Sequence, residues 1–347
     1  MLYVTTRGTQ DAFTAYRTAR QDRGPDGGFF VPMQIPSFDR KDIQKLASNS
    51  FGQNVADLLN LLFGTKISRW DVDVVIGRIF TTKPVGHKLI MGHLWDEVHG
   101  DFSCVVRSLS ILVSPELSKE EPIPNWLEIA IRIAVIFAVY GDLLAAGSIN
   151  REKTVDFAIT SGSFAMPMAL WYARKMGLPV GTIICGCNEN GAVWDLLHRG
   201  AVDTGVLSVE TSTPDADYAV PPNLERLIHA TLGHEEALRY WWCGTEGRNY
   251  LLPELDGASL STGMFAAVVS MDRISNIIPM VHRTHGYILE PYSSLAYGAL
   301  SDYRARTGVV NTAIVLMERS PVTKAAEVAE YMHIPRSELL RLLSEER

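Results

Sequence analysis

Apolar positions follow two rhythms along this chain, and both meet in residues 154–180, TVDFAITSGSFAMPMALWYARKMGLPV. The run Val155, Phe157, Ala158 and Ile159 predicts a buried strand. Ser161-Gly162-Ser163 reads as a tight turn, and Met168, Leu170, Trp171, Ala173 and Met176 then recur at helical spacing. Gly177 stops that helix, Pro179 starts the next segment, and 180–187 reads as a second strand. Strand, glycine turn, helix, strand is the right-handed unit of a parallel sheet. The turn lies at the carboxyl end of the first strand, where open α/β sheets bind ligands. Amides of Ser161, Gly162, Ser163 and Phe164, with the helix start behind them, suit an anion. A purely structural turn made by Gly162 fits the same residues.

The rest of the chain reads in the same way. LYVTTRG is a short strand, Arg23 to Gly28 a turn, and Phe29 to Pro32 extended. Ser37, just before Asp39, opens a helical stretch, and 54–63 is strongly helical. Ser68 and Asp71 cap a helix predicted over 72–80, and Pro84 and Gly86 mark a boundary. A strand over 88–95, a polar stretch over 96–102 and an apolar segment over 103–113 follow. A linker runs to Pro124, and Asn125 caps a long helix over 126–147. Beyond Cys187, helices are predicted over 193–197, 224–231 (capped by Asn223), 235–242, 270–285 (broken at Pro279), 293–303, 325–332 and 336–343. Residues 312–317 read as a buried strand.

Composition narrows the class. With 347 residues, 47% hydrophobic and 20% charged, the chain buries a large core in one large or two ordinary domains. A net charge of −7 argues against a nucleic-acid surface. Four cysteines, Cys104, Cys185, Cys187 and Cys243, lack paired metal spacing and read as reduced thiols, so no metal is expected. MLYVTTRGTQDAF has no apolar signal core, and the most apolar run, 129–140, is interrupted by Arg132 and too short to span a bilayer. The expectation is a cytoplasmic protein, not bound to membrane.

Several stretches in collinear order resemble the threonine synthase family, pyridoxal-phosphate (PLP) enzymes of the tryptophan synthase β fold. YVTTRG with PDGGFFVPMQIP looks like that family's N-terminal signature. SGSFAMPMALWYARKMGLPV resembles its SGNFGD…GLLAKxLGLPV segment, and CNENGAVWDLLHRG its ATNxNDxxxRFLxxG. VPPNLERLI resembles VPSNFERLL, and LEPYSSLAYGAL resembles xEPHAAVAYxAL. Pro124-Asn125-Trp126 looks like the NSIN helix entry. The resemblance implies an α/β fold: a small N-terminal domain over 1–85 and a Rossmann-like parallel sheet flanked by helices over 86–347.

The departures carry as much weight. The family tethers its cofactor through the lysine of HGPTxAFKD, and the corresponding place here is HLWDEVHGDFSCVVRSL. With Arg107 set against the family's following arginine, the lysine position falls on Phe102, and no shift of one or two residues brings a lysine there. A Schiff base requires an amine in a desolvated pocket. Only residues 108–124 separate Arg107 from Asn125, where the family carries a whole subdomain, so the second cofactor-clasping subdomain is expected to be missing. The phosphate loop GNFG reads Gly162-Ser163-Phe164-Ala165, which loses a glycine. TAHPAKF, whose hydroxyl faces the pyridine nitrogen, reads Arg319 with its neighbours 318–324, and EPHAA reads Glu290 to Ser294.

The leading expectation is therefore a threonine-synthase-like protein that has lost PLP catalysis and has no catalytic residues. It would bind or assemble, with the exposed cleft wall covered by a second copy or another protein. Trp95, Phe102, Phe164, Trp241 and Trp242 are candidate aromatic anchors, with core packing as their plainer role. Other pocket candidates are His99, Asp101, Phe102, Arg107, Glu290 and Arg319. Asp96, Glu97, His99 and Asp101 read first as a solvated turn and second as an acid/base or metal set. His282, Arg283 and His285 read as a basic helix end. The closing helix pair has a helix-turn-helix look that the acidic charge opposes. The alternatives are an active lyase that captures PLP unusually, a cofactor-free site near His99 and Asp101, and a small-molecule sensor using the Ser161 loop for a small anion.

Overall fold

The computed structural model describes residues 1–345 apart from 9–10, 78, 87, 97 and 254–262. The first stretch builds a small antiparallel sheet in which β1 (Leu2–Thr5) pairs with β2 (Phe13–Thr14) and β3 (Phe30–Pro32). The short α1 (Ala15–Thr18) leaves β2 directly. α2 (Arg40–Leu46) starts on a capping box of Asp39 and Asp42, so the start lies beyond Ser37. α3 (Phe51–Phe63) is capped by Ser50 and ends on left-handed Gly64. Ser68 and Asp71 form the capping box of α4 (Arg69–Ile76). That helix stops short of the predicted Phe80, because Gly77 turns the chain at φ 56° and Phe80 opens a strand.

β4 (Phe80–Gly86) and β5 (Leu89–Leu94) pair antiparallel, and Pro84 is tolerated because β4 is an edge strand. α5 (Phe102–Val113) and α6 (Asn125–Ala145) come next, joined by residues 114–124. β6 (Val155–Thr160), α7 (Ala165–Lys175) and β7 (Val180–Cys187) form the predicted unit. Beyond it lie α8 (Ala192–Arg199), β8 (Ala201–Asp203), α9 (Leu224–Leu232), α10 (His234–Thr245) and β9 (Asn249–Leu251). β10 (Met264–Val268), α11 (Met271–His285), α12 (Pro291–Thr307), β11 (Ala313–Met317), α13 (Ala325–Tyr331) and α14 (Arg336–Glu345) complete the chain.

The central sheet runs β10-β7-β6-β11-β5-β4 and is parallel except for β4. Alternation along β6 divides the core between its two faces. Phe157 and Ile159 join the apolar cluster of α6 and α7, while Ala158 joins that of α11 and α12. α6 is buried almost all round, which explains its lack of a polar stripe.

Three local expectations change. α11 runs unbroken through Pro279, because Ile274, Ile277, Ile278 and Val281 are buried and hold the helix across the missing hydrogen bond. Asn125 and Asn223 make no side-chain caps. Their amides serve other partners: Asn125 Oδ1 accepts from Arg226 Nη2 at 2.8 Å, and Asn223 Nδ2 donates to Ser163 O at 3.0 Å. β10 falls in a stretch with no predicted element, since its five residues MFAAV are too short to show a period.

No helix among the described residues is long and apolar enough to cross a membrane. The four cysteines are free, with Cys185 and Cys187 buried in β7.

α12 lies so close on β7 that a Cβ added to Gly186 would overlap the Leu295 carbonyl and the Ala296 amide. Gly186→Ala is therefore expected to destabilise the protein by about 1–3 kcal/mol through overpacking. A lower urea midpoint at unchanged slope is the signature to look for.

Candidate functional site

β6 ends at Thr160 and the chain turns at once. Ser161 N donates to Gly186 O at 2.8 Å, and Phe164 N donates to Ser161 O at 2.7 Å. Gly162 takes φ 45° and Phe164 takes φ 65° at the start of α7. Phe164 accepts this left-handed backbone with its ring fully buried, so core packing offsets the strain. Asn223 holds the Ser163 carbonyl from the far side. The Ser161–Phe164 loop is thus well fixed.

Its outer face is closed by α12. Thr160 Oγ1 donates to Tyr292 O at 2.7 Å, and the Tyr292 hydroxyl lies 2.7 Å from where a Gly162 Cβ would stand. The Arg319 guanidinium covers the Tyr292 ring at 4.7 Å. Arg319 Nε pairs with Asp101 Oδ2 at 3.0 Å, and its Nη1 pairs with Asp215 Oδ2. Asp215 sits in a segment that crosses the carboxyl end of β7. Asn188 Nδ2 holds that segment by donating to Thr213 Oγ1 at 3.0 Å and Asp217 Oδ1 at 2.6 Å.

A second ionic group lies beneath. Arg132 Nη1 meets Glu318 Oε2 at 2.6 Å, Arg132 Nη2 meets Glu128 Oε1 at 3.0 Å, and the guanidinium lies 5.2 Å from the Phe102 ring centre. Burial works against the Arg132 charge, but the two glutamates outweigh it and hold the guanidinium firmly protonated. Burial likewise opposes Arg319, and Asp215 and Asp101 raise it. Desolvation pushes the Tyr292 phenol well above its ordinary range.

Glu290 begins α12 and accepts from Tyr292 N at 2.8 Å, Ser293 N at 2.6 Å and Ser293 Oγ at 2.5 Å. Burial raises its carboxyl to about 7, against the lowering effect of these donors and of Arg319.

The structure brings Asp101, Phe102, Glu290 and Arg319 together around the Ser161–Phe164 loop and leaves two candidates aside. His99 turns back on its own turn, with Nδ1 3.0 Å from Asp96 Oδ1. Glu97 lies outside the described residues. Arg107 is half-buried on α5, and its Nη1 has no hydrogen-bond partner among the described residues. No group of three or more metal-ligating side chains gathers among the described residues. Of the aromatic candidates, Phe102 and Phe164 are buried, Trp95 and Trp241 half-buried, and Trp242 exposed.

Sequence reasoning missed Arg132, Glu318 and Asp215 as members. The signal for Arg132 was present: a lone cation inside the apolar run of α6 requires a buried carboxylate partner. Asp215 had no comparable signal, since its role depends on a loop crossing the sheet.

Among the described residues no lysine makes an ion pair or hydrogen bond with this group. Lys324, closest in sequence to Arg319, approaches Glu327 at 3.8 Å. Lys83 Nζ and Lys88 Nζ donate to the carbonyls of Gly286 and Val310. Lys119 and Lys153 are exposed, and Lys175 lies over Trp171 at the end of α7.

The family model "Threonine synthase N terminus" matches residues 2–80. The chain is 26% identical over 177 residues to "Threonine synthase-like 1" of Homo sapiens, covering 50% of this chain and 24% of that protein. It is 25% identical over 245 residues to threonine synthase of Corynebacterium glutamicum, covering 67% and 49%. The chain thus spans about a quarter of the length of the Threonine synthase-like 1 relatives. In fold it matches PLP-bound threonine synthase from Brucella melitensis at a TM-score of 0.81 and 16% identity, covering 95% of this chain and 91% of that one. Yeast threonine synthase matches at 0.79 and 15%, covering 99% and 94%.

Two outcomes follow from the buried charges. Arg132→Met strands Glu318 and Glu128 and is expected to cost about 3–5 kcal/mol in urea unfolding, with part recovered when Glu318→Gln is added. Glu290 binds its proton more tightly folded than unfolded, so its stabilising contribution is complete below pH 4.5 and is lost as pH rises through about 7. That contribution is at most about 3 kcal/mol. Glu290→Gln should remove this slope from a stability–pH curve, and an unchanged slope would refute the assignment.

Proposed function

Starting from a chain that is a relative of the threonine synthases, we propose that it does not carry out PLP chemistry and acts as a binding or assembly protein. One observation carries this reading. The position matched to the cofactor lysine is Phe102, which is fully buried, and the loop matched to the phosphate site is closed by Tyr292 under Arg319. The residues present do not fit the cofactor. An imine link requires an uncharged amine facing the bound aldehyde, and the basic groups here are guanidiniums already engaged by carboxylates. To admit the phosphate, the Tyr292 hydroxyl would have to leave Gly162 and break the Arg319 clamp.

The binding role draws support from the loops around the closed site. Val98 is 84% exposed and Val322 42% exposed, on segments that meet where Gly100 approaches Thr323. Apolar side chains raised on loops beside a rigid closed centre suit contact with a second copy or another protein. In this reading residues 1–85 are the N-terminal unit.

The test is spectroscopic. Purified protein mixed with PLP is expected to show no visible band beyond that of free PLP, no borohydride-stable label on any lysine, and an unchanged melting temperature. A borohydride-fixed adduct mapped to one lysine, with turnover of O-phosphohomoserine, would overturn the proposal.

A further inference from the structure

At the amino-terminal edge of the parallel sheet, opposite the Ser161 loop, α2 and the turns entering β6 and β7 enclose a groove with two unlike halves. The first half, about 480 Å³, is lined by Arg40, Lys41, Gln44, Arg151 and Glu152. The second, about 470 Å³, shares Gln44 and Arg151, adds Asn150, and is walled on one side by Ala47, Leu144 and Ile149. One end thus carries most of the cations, and the other adds an apolar wall to polar neighbours.

The cations are available. Arg40, Lys41 and Arg151 make no ion pair or side-chain hydrogen bond among the described residues. Elsewhere on the surface arginines are commonly engaged, as Arg239 is with Glu236 and Arg341 with Glu338. Here three cations without ion pairs line one concave site against a single glutamate. Such a cluster focuses positive potential in a concave site.

The walls are fixed before any ligand arrives. Phe38 N donates to Met176 O at 2.8 Å, tying the approach to α2 to the end of α7. Gly177 lies at φ 107° so close to the Phe38 carbonyl that a Cβ would overlap it. Glu152 N donates to Asn150 Oδ1 at 2.9 Å, which sets the turn carrying Arg151. Val155 N donates to Pro179 O at 3.0 Å, joining the two turns.

We propose that this groove binds a small organic polyanion of the nucleoside diphosphate class. Its phosphates lie among Arg40, Lys41 and Arg151, and its ring packs on Ala47, Leu144 and Ile149. Guanidiniums suit phosphate through forked hydrogen bonds, and each half of the groove falls within the usual size range of ligand sites. Neither a bare phosphate nor an uncharged nucleoside uses both ends.

Isothermal titration of the full chain at low salt tests this with ADP, pyrophosphate and adenosine. ADP should bind, pyrophosphate about tenfold more weakly, and adenosine undetectably. The double change Arg40→Glu and Arg151→Glu should weaken ADP binding at least about tenfold, and Lys41→Ala should weaken it in the same direction. Arg341→Glu, on a distant paired arginine, should leave it unchanged. These side chains are exposed, and thermal melts of each variant establish folding. The proposal fails if ADP does not bind, if the double variant binds it as tightly as wild type, or if Arg341→Glu weakens it equally.

Discussion

The seating of α12 on β6 and β7 is the constraint from which the rest follows. Gly186 offers no side chain, so the helix backbone settles directly on the strand. The Thr160 hydroxyl then reaches the Tyr292 carbonyl and fixes the helix start at the end of β6. A larger residue at 186 would lift α12 and withdraw Tyr292 from Gly162. Backbone contact between helix and sheet is thus converted into a side-chain stopper over the strand–helix turn.

The charges around this stopper form an internal network. Arg319 joins three separate parts of the chain through Asp101, Asp215 and the Tyr292 face, while Arg132 satisfies two glutamates in the layer beneath. Buried Arg132 and Glu318 are stable only as a pair in good geometry, while Arg319 is held by a partly buried Asp101 and an exposed Asp215. Carboxylates neutralise both guanidiniums, so neither presents an unbalanced positive charge to an anion. The opposite edge of the sheet shows the reverse condition, with unpaired cations in a preformed groove. The binding capacity of this chain therefore falls at the edge away from the strand ends where α/β sheets usually bind ligands.

The fold matches that of solved threonine synthases over nearly the whole chain. A parallel sheet with flanking helices takes its stability from the apolar clusters on its two faces rather than from a site. Phe102 belongs to one of them: it is fully buried at the start of α5, with the Arg132 guanidinium 5.2 Å from its ring centre.

The sequence by itself determined the β6–α7–β7 unit and most helix cores, because apolar period and glycine punctuation are local signals. It also named Ser161–Phe164, Glu290 and Arg319 as candidate site residues through the order of matching motifs. Only the tertiary structure decided that α11 runs through Pro279, that Asn125 and Asn223 serve other chains of contacts, and that His99 folds back on Asp96. Asp215 closing on Arg319 and Arg151 facing Arg40 also belong to that class. The physical reason is distance along the chain: each depends on which remote segment fills the adjoining space, and periodicity carries no information about that.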